Sequence, residues 1–168
     1  VLNGRDPDRL EAAAAALRAE TAVTVLTVAG DVADPATRAA LVAAFPHPDI
    51  LVTNNGGPPP GRFADWDRDH WIEAVDANLL APLLLIRDVL DGMVARRFGR
   101  IVNITSAMVK APLSPMGLSS AARAVAVHIG CECLRAAGRQ ELRRAQAQRA
   151  GERVVHLQAD TVKRLLPK

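Results

Sequence analysis

Residues 49–61 read DILVTNNGGPPPG. The run over residues 49–53 is continuous in hydrophobicity rather than alternating, which is typical of a strand covered on both faces of a parallel sheet. Two asparagines and a segment rich in glycine and proline follow it directly. Ligands bind beyond the carboxyl ends of parallel strands, and glycine lets the backbone approach a ligand closely. This stretch predicts an α/β fold with a binding loop after the strand.

Further strand-like runs and two short helices extend the same pattern. β-Branched runs lie at residues 22–28 and 100–105, and a short apolar run opens the sequence. The helical patterns at residues 8–20 and 35–45 each follow an Asp-Pro pair, in which aspartate caps the helix and proline takes its first position. Repeated β–α–β spacing predicts a partial Rossmann-like, doubly wound parallel sheet.

A longer helix is predicted from about Asp65 to about Arg97, because apolar residues recur there at three- and four-residue spacing. Pro82 interrupts it. Proline has no N–H for the carbonyl four residues back, which belongs to Asn78. A last apolar helix is predicted at residues 119–136. A polar helix at 139–149 and a weak strand at 154–157 are expected after it.

The composition is that of a globular protein, with 49% hydrophobic and 23% charged residues. Charge is uneven: residues 1–130 hold 12 basic and 14 acidic side chains, net −2, whereas residues 131–168 hold 9 and 4, net +5. The Rossmann-like pattern of strands and helices is typical of dinucleotide-binding domains. Together with the uneven charge it predicts such a domain over residues 1–130 and a basic, Arg/Gln-rich extension over 131–168. The extension lacks interleaved aromatic residues, which favours a solvated helix face over a nucleic-acid site.

Neither a metal site nor secretion is predicted, the latter because the first residues show no basic region followed by an apolar one. Cys131 and Cys133 are one residue apart, too close for an unstrained disulfide, and the four histidines show no ligand spacing. No apolar run approaches the ~20 residues of a membrane span. We expect a cytoplasmic protein with reduced thiols, and no membrane or nucleic-acid partner.

Three side chains follow strand-like runs and are candidates for binding or catalysis. Arg5 suits the 2′-phosphate of a dinucleotide, or is a surface arginine at a turn. Asp31 suits an adenine amino group, or caps the turn before Pro35. Ser106 carries a hydroxyl to the same sheet edge, although a serine at a strand end is usually a turn residue. The residue types leave both interpretations of each open.

In this order and spacing, the segments resemble the short-chain dehydrogenase/reductase family over roughly residues 1–124. The nearest type is the 3-oxoacyl-carrier-protein reductase. The NNAG segment of the family resembles Asn54-Asn55-Gly56, its helical asparagine matches Asn78, and its GRIVNISS strand matches residues 99–106, with the catalytic serine at Ser106. Arg5 matches the arginine of members that use NADP, and Asp31-Val32 matches the pair that contacts adenine.

The resemblance implies hydride transfer between NADPH and a carbonyl or hydroxyl substrate. In the family, a tyrosine donates the proton, a lysine four residues later holds the ribose, the serine polarises the carbonyl and the asparagine supports a relay water. It implies cofactor contacts at Arg5, Asp31, Val32, Asn54, Asn55, Gly56 and Arg123, and catalytic positions at Asn78, Ser106, Ser119 and Arg123. NADP is favoured over NAD.

The sequence departs from the family in three respects. It has no tyrosine; Ser119 occupies the tyrosine position and Arg123 the lysine position. The 168 residues hold no glycine-rich turn into a helix, the feature that binds a pyrophosphate, so the sequence begins at the second strand of the family. Residues after about Ala124 no longer resemble the family. We therefore expect weak cofactor binding and impaired activity.

Two alternatives to an active reductase remain at this point. The chain is either an impaired oxidoreductase or a non-catalytic module that binds partner subunits. In the family, the helices matching residues 65–97 and 119–136 build the oligomer, so a homo-oligomer and a small carbonyl substrate are expected. A third and weaker possibility is an anion- or RNA-binding module that uses the basic extension.

Overall fold

The computed structural model of the chain describes residues 1–111 and 114–126. These residues form two compact units, Val1–Pro48 and Asp49 onward. Each unit contains a two-stranded parallel sheet with helices, as the α/β prediction required. The predicted boundary at residues 130–131, both cysteines, and the elements predicted at 139–149 and 154–157 lie outside the described residues.

The first unit contains two βα segments. Strand β1 is Leu2–Gly4, helix α1 is Pro7–Glu20, strand β2 is Thr27–Ala29 and helix α2 is Pro35–Ala44. The two strands run parallel, with Leu2 opposite Thr27. Both predicted Asp-Pro starts are confirmed, because Asp6 and Asp34 accept hydrogen bonds from the first free N–H groups of α1 and α2.

The strand predicted at residues 22–28 is largely wrong, because β2 begins only at Thr27. A strand forms only where a partner backbone lies alongside, and β1 is three residues long. The preceding segment is held by Arg18, whose Nε and Nη2 atoms donate to the Val25 carbonyl at 3.1 and 2.6 Å. Val23 is 62% exposed, so the β-branched run does not lie in a covered sheet.

The second unit places two helices and a further helical segment around a parallel strand pair. Strand β3 is Ile50–Thr53 and strand β4 is Arg100–Asn103, in parallel register with Thr53 opposite Asn103. Helix α3 is Arg68–Val75, helix α4 is Ala81–Arg96, and residues 117–126 are helical. Their buried apolar side chains are Ala74, Ala81, Ile86, Val89, Met93, Ile101, Ile104, Leu118 and Ala122.

The long helix predicted at residues 65–97 is divided, as Pro82 suggested. A π-helical turn at Asp76–Leu80 separates α3 from α4, and the Ala81 N–H donates to the Asp76 carbonyl across that turn. The α-helix begins at Arg68 rather than Asp65, because Asp67 caps it by accepting from the N–H groups of Asp69 and His70. Within the described part of the chain, no helix is long and apolar enough to cross a membrane.

Candidate functional site

A small cavity lined by both polar and apolar side chains lies at the carboxyl ends of β3 and β4. Its volume is about 20 Å³, which is room for one water molecule. Thr53 and Asn103, the last residues of the two strands, are buried there, and the Thr53 hydroxyl donates to Asn103 Oδ1 at 2.7 Å. The lining comprises Thr53, Asn55, Asn78, Pro82, Leu83, Ile86, Asn103, Ile104, Thr105, Arg123 and Ala126.

Asn78 enters the cavity from the π-helical turn and is only 4% exposed. Its Nδ2 donates to the Ala74 carbonyl at 3.3 Å, whereas its Oδ1 is buried without a hydrogen-bond partner among the described residues. A buried acceptor without a donor costs about 1–3 kcal/mol. Retaining such a side chain beside a water-sized cavity is typical of a position that binds a small polar group.

The loop after β3, residues 54–61, is connected to the helices through Asn55. The Asn55 side chain donates to the Ala77 carbonyl, and the Asn55 carbonyl accepts from Arg123 Nη2 at 2.8 Å. Asn54 and Gly56, the other predicted cofactor contacts of this loop, are exposed. Of the NNG segment, therefore, only Asn55 lines the cavity.

Arg123 joins three parts of the second unit. Its Nε donates to Ser119 Oγ at 3.2 Å, its Nη1 to the Ile104 carbonyl at 3.0 Å and its Nη2 to the Asn55 carbonyl. Burial lowers the pKa of Arg123, although a guanidinium remains charged at neutral pH. The side chain thus bridges the helix at residues 117–126 and the carboxyl ends of both strands.

The two predicted catalytic serines are placed differently. Ser119 is buried, at 4% exposure, and its oxygen faces the Arg123 cation. Ser106 is half-buried and caps a 3₁₀ turn, with Oγ accepting from the Met108 N–H at 3.2 Å. That bond uses an oxygen lone pair and leaves the hydroxyl hydrogen for another acceptor. Neither serine lines the cavity, although Thr105 beside Ser106 does.

The remaining predicted contacts lie in the first unit. The Arg5 side chain is 76% exposed and its Nη1 lies 4.0 Å from Asp31 Oδ2. Asp31 Oδ1 accepts from the Ala33 N–H at 2.9 Å, so this carboxylate stabilises its own turn while its other oxygen faces the arginine. The Val32 carbonyl accepts from the buried Arg38 at 2.9 Å. Arg5 and Asp31 are thus brought together, and Val32 has a role in the turn.

Asn55, Asn78 and Arg123 therefore meet at one cavity, and Ser119 contacts it through Arg123. Thr53 and Asn103 also line the cavity, and neither was predicted to be a site residue. The sequence feature that could have identified them is that each is a polar residue at the end of an apolar strand run. Such positions lie at the ligand-binding edge of a parallel sheet. Among the described residues, no group of three or more His, Cys, Asp or Glu side chains is arranged to hold a metal ion.

The sequence of the chain is similar to those of known dehydrogenases and reductases. A family model described as short chain dehydrogenase matches residues 1–141, so the resemblance extends beyond Ala124, where it was predicted to end. A Streptomyces violaceoruber protein, assigned as ketoacyl reductase 1 of the granaticin polyketide synthase, is 39% identical over 111 residues, which are 62% of this chain and 40% of that protein. Dehydrogenase/reductase SDR family member 7B of Bos taurus is 32% identical over 145 residues, or 81% of this chain and 44% of that protein.

A solved structure also resembles the chain. The L-sorbose reductase of Gluconobacter frateurii, complexed with NADPH and L-sorbose, is 30% identical with a TM-score of 0.71, covering 76% of this chain and 50% of that one. The chain spans 40% and 44% of the length of the two curated relatives above.

Proposed function

Because the chain belongs to the short-chain dehydrogenase family, we propose that it carries the site of an NAD(P)-dependent oxidoreductase. The reaction is hydride transfer between a nicotinamide cofactor and a small carbonyl or hydroxyl substrate. The observation that supports it best is the meeting of Asn55, Asn78 and Arg123 at the carboxyl ends of β3 and β4. Parallel sheets bind their ligands at this edge. In this polar cluster Asn78 is buried and its Oδ1 has no hydrogen-bond partner among the described residues, whereas Asn55 and Arg123 are half-buried.

The residues of the first unit fit the adenosine end of a dinucleotide. The Arg5 guanidinium is largely exposed beyond β1, with the Asp31 carboxylate beside it beyond β2. A guanidinium binds a phosphate with two parallel N–H donors, and a carboxylate accepts from an adenine amino group or a ribose hydroxyl. The exposed Arg5 guanidinium is the feature that supports NADP rather than NAD as the cofactor.

Arg123 fits the ribose-holding role of the family's lysine less well. Each of its three nitrogens already donates to Ser119 or to a main-chain carbonyl. The guanidinium cannot rotate towards a cofactor without breaking these bonds, whereas the ammonium of a lysine rotates freely. We propose that Arg123 supports the shape of the site rather than binding the cofactor.

The mechanism we propose assigns polarisation to Ser106 and hydrogen bonding to Asn78. When bound, the cofactor supplies the hydride. The Ser106 hydroxyl donates to the substrate oxygen, since its bond with the Met108 N–H does not use that hydrogen. Pro82 removes the ordinary donor to the Asn78 carbonyl, which then accepts from a water that relays a proton. Ser119 is a poor proton donor in place of tyrosine, so the rate falls by ~10²–10⁴.

Cofactor titration tests this function. We expect NADPH to bind weakly and NADH more weakly still. The fluorescence of the reduced nicotinamide measures the binding of both. Arg5→Ala removes the preference between the two cofactors. Arg9→Ala, at an exposed arginine of α1, retains it and is the matched control. No saturable binding of either cofactor would contradict the proposal, and a sub-micromolar dissociation constant would contradict the weak binding.

The second candidate function is a non-catalytic subunit of an oligomer. Ile72 is 46%, Leu80 41% and Val125 45% exposed, on α3, the π-helical turn and the helix at residues 117–126. The engaged donors of Arg123 also favour a structural role over catalysis. Sedimentation analysis separates the candidates: a homo-oligomer that binds no cofactor favours the subunit role.

A further inference from the structure

Trp66 lies between Gly61 and Gly117, two glycines of the second unit that are far apart in the sequence. A Cβ atom placed on Gly61 would be 2.8 Å from Trp66 Nε1, and one placed on Gly117 would be 2.8 Å from Trp66 Cζ3. Carbon atoms in contact lie ~3.5–4.0 Å apart, so neither position accepts a side chain while the ring stays in place. The indole ring thus packs directly against two backbones.

Further contacts fix Trp66 and the two glycine-containing segments beside it. The Gly61 N–H donates to the Pro115 carbonyl at 2.9 Å, so the loop after β3 is bonded to the segment that enters the helix at residues 117–126. Trp71 packs edge-on against Trp66 with a centroid separation of 5.8 Å, and Phe63 packs against Trp71 at 6.4 Å. The ring of Trp66 is therefore fixed on several sides.

The other end of the loop at residues 54–61 is held at the candidate site. Arg123 donates to the Asn55 carbonyl, and a Cβ placed on Gly57 would lie 3.6 Å from Ser119 Oγ and 3.8 Å from Arg123 Nη2. The loop therefore contacts Arg123 of the helix near its first residues and contacts Trp66 at its last residue, Gly61.

We propose that Trp66 is a positioning residue that holds the loop at residues 54–61 against the helix at residues 117–126. It keeps Gly57 beside Ser119 and Arg123, and so shapes the site from outside its lining. Its significance for catalysis rests on the proposed function, because that function makes Ser119 and Arg123 site residues. The structural claim needs neither cofactor nor turnover.

Limited trypsin digestion measures the loop directly, since Arg62 follows Gly61 and is exposed. The measured quantity is the initial cleavage rate at Arg62 divided by that at Arg97, an exposed arginine beyond α4, both followed by mass spectrometry of the intact chain. Trp66→Leu should raise this ratio by about tenfold or more, because cleavage follows the population of the opened segment. Trp66→Phe retains an aromatic ring and should restore most of the protection.

Glycine variants provide a second route if Trp66→Leu does not fold. Gly117→Ala introduces a methyl group against the ring and should raise the ratio as Trp66→Leu does. Gly4→Ala is the matched control, because Gly4 lies in the first unit and its Cβ would make only ordinary contacts with Leu10 at 3.5 and 3.8 Å, so it should leave the ratio unchanged. A variant that only destabilises the fold raises both cleavage rates together.

An unchanged ratio in Trp66→Leu or Gly117→Ala would overturn the proposal, as would an equal rise in Gly4→Ala. Failure of cofactor binding would remove the proposed function and leave this ratio unaffected.

Discussion

Replacing Arg123 by methionine tests whether its guanidinium joins the helix at residues 117–126 to the strand ends. The change keeps an unbranched stem and removes donors to the Ile104 and Asn55 carbonyls and to Ser119 Oγ. A buried acceptor left without its donor costs about 1–3 kcal/mol. The guanidinium is partly exposed, so water replaces some of these bonds. We therefore expect a loss of about 2–3 kcal/mol, or a urea midpoint lower by roughly 1 M.

Tryptophan fluorescence during urea unfolding is the assay, because Trp66 and Trp71 both lie in the unit that holds Arg123. Arg123→Lys should lose roughly half as much, since one ammonium does not reach three acceptors in different directions. Arg68→Lys is the control. Its side chain is 83% exposed and pairs only loosely with Asp69, so no shift is expected. If Arg123→Met had the same urea midpoint as Arg68→Lys, this account of Arg123 would be refuted.

Three further predictions concern activity, backbone conformation and pH. Ser119→Tyr combined with Arg123→Lys restores only the proton-transfer part of the family's site, a factor of ~10²–10⁴, so NADPH oxidation with a 3-oxoacyl analogue should stay near background. Gly30→Ala should cost roughly 1–3 kcal/mol in thermal or urea unfolding, because φ is 143° and the new methyl group meets a buried threonine of α2. The backbone N–H of His70 is the main cause that lowers the pKa of Asp67, so its stabilising effect is complete above the usual aspartate pKa and is lost on acidification through the lowered value. Asp67→Asn should flatten stability against pH in that acidic range.

The backbone and activity predictions each have a control. Gly4→Ala is the control for the glycine variant, since its methyl group would make only ordinary contacts with Leu10 at 3.5 and 3.8 Å. The unmodified chain is the control for the double variant and should show the same background rate. Ordinary turnover by the unmodified chain, an unaffected Gly30→Ala protein, or an unchanged acid profile in Asp67→Asn would each show the corresponding argument to be wrong.

Local rules predicted several parts of this fold. The Asp-Pro pairs before α1 and α2 each supply a cap and a first residue that suit a helix, and both helices begin there. Pro82 predicted an interruption in the long helix, because a missing N–H acts on its own segment. Asn55 and Asn78 were also identified as site residues. Both follow from their places in the chain, one after a strand run and one four residues before proline.

The contacts that close the site required the folded chain. Whether residues 22–26 form a strand depended on the length of the partner strand, which that segment does not encode. Arg123 reaches carbonyls 19 and 68 residues away, and Trp66 packs between Gly61 and Gly117. Such contacts depend on how loops and helices pack. The sequence alone determined where α1 and α2 begin and which polar groups follow the strand runs, because capping and periodicity act over a few residues. Only the tertiary structure determined which donors those groups meet, because hydrogen bonds and close packing depend on distances between segments far apart in the chain.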